Sequence, residues 1–152
     1  MSSAKNGNLK RFWVIGITLF LLLAIAAPAM AQTGKKVFNT SMRGEHEAPG
    51  PGDPDGKGKA RIRLDLENSE VCWNLRVKDI EEATAAHIHI APRGVPGPVV
   101  VPLSAPSSGR SSGCTAADSA LILDILENPA NYYVNVHNAE FPAGAVRGQL
   151  GN

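Results

Sequence analysis

The composition offers few features that point to a function. The 152-residue chain has only 2 cysteines and 4 histidines, and its 15 Lys and Arg nearly balance its 14 Asp and Glu. A net charge of +1 gives no electrostatic case for nucleic acid, whose partners usually contain a strongly basic domain. The length allows one domain and hardly two. The sequence shows no clear nucleophile–base pair, phosphate loop or paired acidic site, so we expect a protein that is not an enzyme.

Acidic residues are missing from the chain before Glu45. Lys5, Lys10 and Arg11 precede an apolar run over residues 12–27, and Ala29-Met30-Ala31 follows it. This order is typical of a secretory signal peptide. We therefore predict a signal peptide at residues 1–31 and one domain at residues 32–152, secreted or periplasmic. That domain has 12 Lys and Arg against 14 Asp and Glu, a net charge of −2.

An uncleaved membrane anchor, which would tether the protein, is the alternative for this segment. Residues 12–27 are short for a span of about 20 residues, and Pro28 limits their extension. If the segment is cleaved, the mature chain has no membrane span. No cysteine follows the apolar run closely, so a lipidated N-terminus has no attachment point.

The two cysteines, Cys72 and Cys114, are an even number in a chain predicted to enter an oxidising compartment. We expect a disulfide between them. A metal site is less favoured, because the residues are 42 positions apart and neither has a neighbouring ligand. Two buried free thiols are the remaining alternative.

Short segments with alternating apolar and polar residues predict an all-β domain. Residues 60–66 and 71–77 are the strongest pair, with Asn68-Ser69 as the turn between them. The other predicted strands are residues 37–42, 85–90, 98–103, 132–137 and 145–150. Seven or eight short strands indicate an antiparallel, Greek-key-like β-sandwich, immunoglobulin-like or superoxide-dismutase-like. Residues 116–127 predict a helix with one apolar stripe. Asp118 would be its N-cap, and Asn128-Pro129 would end it.

The segments between the predicted strands are rich in glycine, proline and serine. Residues 48–56 predict a turn, since their acids do not have the spacing of a calcium loop. Residues 105–113 predict a surface loop that contains a G-x-S-x-G pattern around Ser111. A nucleophile elbow needs a strand that runs into the serine and a large parallel sheet behind it. We therefore do not assign Ser111 a catalytic role.

The histidines are the residues of this sequence whose pattern most clearly indicates a functional site. His87 and His89 alternate with Ile88 on one predicted strand, so both imidazoles leave the same face, about 6.5 Å apart. His137 has the same alternation on a later strand. If the two strands are neighbours, the three rings converge as ligands for copper or zinc, and His46 or a carboxylate could complete the set.

We expect a structural or ligand-facing polar network at these histidines, with the metal as the alternative. The rings would then bond to Asn135, Asn138, Glu45 or backbone carbonyls. Arg147, which lies between Gly144 and Gly148, is either paired with a carboxylate or an exposed strand residue. The predicted polar cluster that supports the histidines is Glu45, His46, Glu47, Tyr133, Asn135 and Arg147.

Four motifs in this order resemble the CHRD (chordin) domain family. They are Ala86-His87-Ile88-His89, residues 94–101, residues 128–137 and residues 144–150. The resemblance covers roughly residues 36–150. The start at residues 44–49 is looser, with alanine at position 48 and a broken proline pair, and Asn138 stands where the family usually has threonine.

The resemblance implies a single-domain, exported bacterial member of this family. For such members the family name describes a fold more than an activity. We expect a non-catalytic binding or structural module that uses its His/Arg/Tyr cluster to bind an unknown protein or envelope component, without a cofactor. The alternative is a copper or zinc metalloprotein, superoxide-dismutase-like in its layout of histidines on strands.

Overall fold

The fold is a single antiparallel sheet of eight strands with one helix, seen in a computed structural model that describes Met1 and residues 34–151. The strands are β1 (Lys35–Arg43), β2 (Lys57–Asp65), β3 (Glu70–Lys78), β4 (Ala83–Ile90), β5 (Val99–Leu103), β6 (Arg110–Ala116), β7 (Tyr132–Asn138) and β8 (Val146–Gln149). The helix α1 spans Ser119–Glu127, and short 3₁₀ turns cover Gly44–His46 and Pro129–Asn131. The all-β antiparallel class with one short helix is confirmed.

The order of the strands in the sheet is β5-β4-β7-β8-β1-β2-β3-β6, and every pair is antiparallel. β1, β2 and β3 form a meander, and β7 lies beside β4 although 41 residues separate the two strands in the chain. β8 connects the two parts of the sheet through its pairing with β7 on one side and β1 on the other. The crossovers therefore bring distant segments of sequence side by side.

One apolar core occupies the inner face of the curled sheet. Val101 of β5 and Trp73 of β3, near opposite ends of the strand order, belong to the same buried cluster. The two edges also approach each other, since the Ser111 hydroxyl of β6 donates to the carbonyl of Ser104, which follows β5, at 2.7 Å. Burial of this apolar surface is the main driving force for the fold.

The helix forms as its sequence predicts. The Asp118 carboxylate accepts hydrogen bonds from the Ala120 and Leu121 amides at 2.7 and 3.3 Å, which satisfies two of the donors at the helix start. Ile122 and Ile125 are fully buried against the sheet. The predicted N-cap and apolar stripe are confirmed.

The predicted surface loop at residues 105–113 is only partly correct, because β6 begins at Arg110 within it. Its Ser- and Gly-rich sequence has low strand propensity, and β6 is an edge strand that adds no residue to the buried core. Pairing with β3 places Cys114 directly opposite Cys72, and the two form a disulfide. The predicted bridge is confirmed.

The predicted signal peptide and its alternative as a membrane anchor fall on residues that, apart from Met1, lie outside those described. Within the described part of the chain, no helix has the length and apolarity that crossing a bilayer requires. All the elements named above belong to one compact unit, Gln32–Asn152.

Candidate metal centre

The three predicted histidines meet on the outer face of the sheet. β4 and β7 are neighbours, with His87 opposite Asn135 and Ala85 opposite His137. His87 and His137 are thus diagonal neighbours, a position from which long side chains touch. The intervening Ile88 is fully buried in the core, as period-two alternation requires.

The donor atoms of the three rings, His87, His89 and His137, lie within 4.8 Å of one another and can hold a metal ion. His87 Nδ1 is 3.1 Å from His137 Nε2, and Asn135 Oδ1 is 3.0 Å from the same nitrogen. Atoms this close can bind one ion together at the usual metal–ligand distance of about 2.0–2.2 Å.

Backbone carbonyls fix which nitrogen of two rings carries the proton. His89 Nδ1 donates to the Gly97 carbonyl at 2.8 Å, and His137 Nδ1 donates to the Pro142 carbonyl at 3.1 Å. Each neutral ring therefore directs the lone pair of its Nε2 toward the cluster. This orientation by an outer carbonyl is the usual arrangement of histidines that bind metals.

One ring nitrogen of the cluster lacks a hydrogen-bond partner. His89 Nε2 is buried and has no hydrogen-bond partner, although Asn135 lies close enough to raise the pKa of that ring. His137 Nε2, which lies 3.0 Å from Asn135 Oδ1, can accept a hydrogen bond from His87 Nδ1 at 3.1 Å. A buried acceptor without a donor costs free energy, and a cation between these atoms would remove that cost.

Burial keeps all three rings in the neutral form that binds metals. It lowers the pKa of His87 to about 4, with smaller contributions from the charges of His137 and His89. Burial also lowers the pKa values of His89 and His137, against the opposing hydrogen bonds to their carbonyls. The cluster therefore needs no deprotonation at neutral pH before it takes up an ion.

Arg147 supports the cluster from β8 through a stack of side chains. Its guanidinium carbon lies 3.4 Å from the centre of the Tyr133 ring, and the His89 ring stacks on Tyr133 at 4.8 Å with an angle of 9° between the planes. Arg147 is 1% exposed, so it is not an exposed strand residue. The stack holds His89, the most deeply buried of the three histidines, in one orientation.

The connection between β4 and β5 covers this stack. Arg147 donates to the carbonyls of Val95 and Pro92 at 2.9 and 2.8 Å, a pairing that neither of the two alternatives from the sequence had included. The Gly97 amide donates to the Tyr133 hydroxyl at 3.2 Å. Because residues 91–97 lie over the rings, His89 is only 7% exposed.

Gln149 also belongs to the site, although it was not predicted from the sequence. Its amide nitrogen donates to the carbonyls of Ala91 and Ala130 at 2.8 and 2.7 Å, and its oxygen accepts from Arg147 at 3.2 Å. The signal was present in the sequence, because Gln149 is two positions after Arg147 on a strand and so shares its face.

Three residues near the start of the domain were also predicted to belong to the cluster, and only one of them lies near it. Glu45 is exposed and lies beside Arg43, with 3.8 Å between carboxylate and guanidinium. His46 has no hydrogen bond or ion pair among the described residues. Glu47 alone approaches the site, where its charge interacts with that of Arg147.

Glu47 is half-buried, and its carboxylate packs against the turn before β8. A side chain on Gly144, whose φ is +149°, would collide with the Glu47 carboxylate. Oε1 of that carboxylate is buried without a hydrogen-bond partner. Burial raises the pKa of Glu47 to about 7, against the opposing charge of Arg147.

Comparison with known proteins gives one match. The family model of the CHRD domain matches residues 38–150, which include all the residues of the cluster. A search of curated proteins found no match, and a search of solved structures found none either.

Proposed function

Because the chain belongs to the CHRD domain family, we propose that it is an exported, non-catalytic module that binds one copper or zinc ion. The ligands are His87, His89 and His137. The observation that carries the proposal is the convergence of nitrogens of three rings to within 4.8 Å of one another, where the buried Nε2 of His89 has no hydrogen-bond partner among the described residues. A purely structural polar network would leave the Nε2 acceptor of His89 unsatisfied.

Export is supported by two independent features. The basic start, the apolar run and the A-x-A sequence at residues 29–31 fit a signal peptide. The Cys72–Cys114 disulfide is of a kind that persists in oxidising compartments and is rare in the cytosol.

A binding role rather than turnover is supported by the surroundings of the ligands. Asn135 Oδ1, 3.0 Å from His137 Nε2, is placed to act as a fourth ligand. Residues 91–97 cover His89 and Tyr133 on the outer side. Four filled positions leave no open place for a substrate, whereas catalytic zinc sites keep one.

Calorimetric titration of the purified protein with Cu(II) and with Zn(II), after removal of metal with a chelator, tests the proposal. We expect one ion per chain. His137→Ala and His87→Ala should each weaken binding by at least about 100-fold, because each removes a direct ligand rather than an outer contact.

His46→Ala is the matched control, since it removes a histidine of the same domain that has no contact with the cluster, and it should leave the affinity unchanged. Circular dichroism in the near ultraviolet confirms that each variant is folded. A titration without heat, or an equal loss in His46→Ala, would contradict the metal site. Superoxide dismutation by the copper-loaded protein above that of the His137→Ala variant would contradict the non-catalytic role.

A further inference from the structure

The outer face of the sheet carries a second unusual surface, on β1, β2, β3 and β6, away from the histidines on β4 and β7. Apart from Lys35 and Arg63, which pair with Asp65, seven of the twelve Lys and Arg in residues 32–152 lie there, and all seven are exposed. They are Arg43, Lys57, Lys59, Arg61, Arg76, Lys78 and Arg110. Because the whole domain has a predicted net charge of −2, this concentration is a local property that the net charge conceals.

Pairing between the strands places several of these cations directly opposite each other. Lys59 is opposite Arg76, which is in turn opposite Arg110, so a row of three cations crosses β2, β3 and β6. Lys57 is likewise opposite both Arg43 and Lys78. Like charges in directly opposed positions destabilise a sheet, so folding does not account for these rows.

Intramolecular ion pairs neutralise only the margin of this surface. Asp79 lies 3.9 Å from Lys57 and 3.5 Å from Lys78. Among the described residues, no carboxylate forms an ion pair with Lys59, Arg61, Arg76 or Arg110. Four adjacent cations are therefore available to an anion from outside.

The cations surround a recess rather than a flat face. A cavity of about 410 Å³ is lined by six of them and by no acidic residue. A neighbouring cavity of about 370 Å³ shares Lys59 and Arg76 and adds Arg61, with the amides of Asn39 and Asn74 as further donors. Together the two cavities are lined by seven cations, more than a single phosphate group can engage, which favours a polymer with several phosphate groups.

The residues that line both cavities favour phosphate groups without attached bases. Arginine binds phosphate through two parallel N–H donors, and lysine adds a point charge. Proteins that bind single-stranded nucleic acid stack the bases on aromatic side chains. Neither cavity is lined by a Phe, Tyr or Trp residue.

We propose that this basic recess binds a linear polymer of phosphate groups without bases, such as a polyphosphate or a phosphodiester-linked polymer of the cell envelope. The site is separate from the histidine cluster and does not rest on the metal proposal.

Fluorescence anisotropy with labelled inorganic polyphosphate, measured on chelator-treated protein, tests this proposal. We expect binding at 50 mM salt that becomes about 50-fold weaker at 200 mM salt, the loss for four phosphate contacts on a single-stranded polyanion. Arg76→Ala and Lys59→Ala should each weaken binding about 5- to 10-fold. Each should also reduce the slope of log affinity against log salt by the amount expected for about one phosphate contact.

Lys36→Ala is the matched control, because it removes an exposed cation of the same domain that contacts Phe38 outside the recess. It should leave the affinity for polyphosphate unchanged. His137→Ala should also bind polyphosphate normally, which separates this result from the test of the metal site.

Three results would overturn the proposal. One is the absence of binding at 50 mM salt, and another is an equal loss in Lys36→Ala and Arg76→Ala, which would show attraction without a site. The third is tighter binding, with the same dependence on Arg76, to a single-stranded oligonucleotide or to vesicles of phosphatidylglycerol, which would assign the recess to a different partner.

Discussion

At the scale of single residues, Arg147 is notable because its charged group is buried. It is 1% exposed, yet its charge is met by the carbonyls of Val95 and Pro92 and by the Tyr133 ring rather than by a close carboxylate. The planar fork of arginine serves all three partners at once, which an ammonium group cannot do.

Arg147→Lys therefore keeps the charge but loses the stacking and at least one carbonyl bond. We expect a decrease of about 1–3 kcal/mol in the free energy of unfolding, measured by urea denaturation. Arg61→Lys, the same change at an exposed position on β2, should stay within about 0.5 kcal/mol of the parent. Equal effects of the two substitutions would show that the stack contributes nothing to stability.

Glu47 links the stability of the domain to pH. Its pKa is about 7 in the folded protein and near 4.5 in the unfolded chain, so the folded state holds more protons between these values. Its contribution is complete below pH 4.5 and is lost as the pH rises through 7. Glu47→Gln removes the titration, and we expect its stability relative to the parent to increase from pH 5 to pH 8.

Chemical denaturation of both proteins at several pH values measures this difference. Glu45→Gln, a change of the same kind at an exposed position two residues away, should show no such trend. A stability difference between Glu47→Gln and the parent that is constant with pH would contradict the raised pKa of Glu47.

Single residues also show the limit of inference from sequence. Period-two alternation correctly placed His87 and His89 on one face, because the geometry of a strand fixes it. The lone pairs at His89 and His137 depend instead on the carbonyls of Gly97 and Pro142. Such contacts come from loops whose course no local pattern encodes.

At the scale of elements, β6 depends on the disulfide more than on its own sequence. Arg110–Ala116 contributes nothing to the buried core, and one neighbour, β3, supplies its backbone pairing. The helix α1, by contrast, was predictable because its cap, its apolar stripe and its stop all indicate the same element. For β6, the only indication in the sequence of a place beside β3 was Cys114, through its predicted disulfide with Cys72.

Replacement of both cysteines, Cys72→Ser with Cys114→Ser, should lower the free energy of unfolding by up to about 4 kcal/mol. The chain-entropy model gives this value for a loop of the length between them. The reduced parent protein is the control and should show the same loss. Hydrogen exchange should increase most at the amides of β6, and an unchanged exchange rate there would contradict the dependence of this strand on the bridge.

At the scale of the whole molecule, the fold class followed from the sequence but the topology did not. Seven of the eight strands coincide with a short apolar pattern in the sequence, alternating in most of them and continuous in β5, which is sufficient to predict an all-β domain. The proposed metal site requires in addition that β4 lies beside β7, and the basic recess requires that β2, β3 and β6 are consecutive in the sheet. Both sites are products of strand order, which sequence spacing leaves open.

The placement of the two proposed sites on different strands of one sheet leads to a prediction about their independence. An ion that binds only the folded state stabilises it by mass action, so Zn(II) at a free concentration 100 times its dissociation constant should raise the free energy of unfolding by about 2.7 kcal/mol. His87→Ala should lose this increase, because it removes a ligand. Arg76→Ala should keep it in full, since Arg76 lies on β3 and has no contact with the cluster. Denaturation of the three proteins with and without Zn(II) measures the effect, and a loss of the increase in Arg76→Ala would show that the two surfaces are coupled through the sheet.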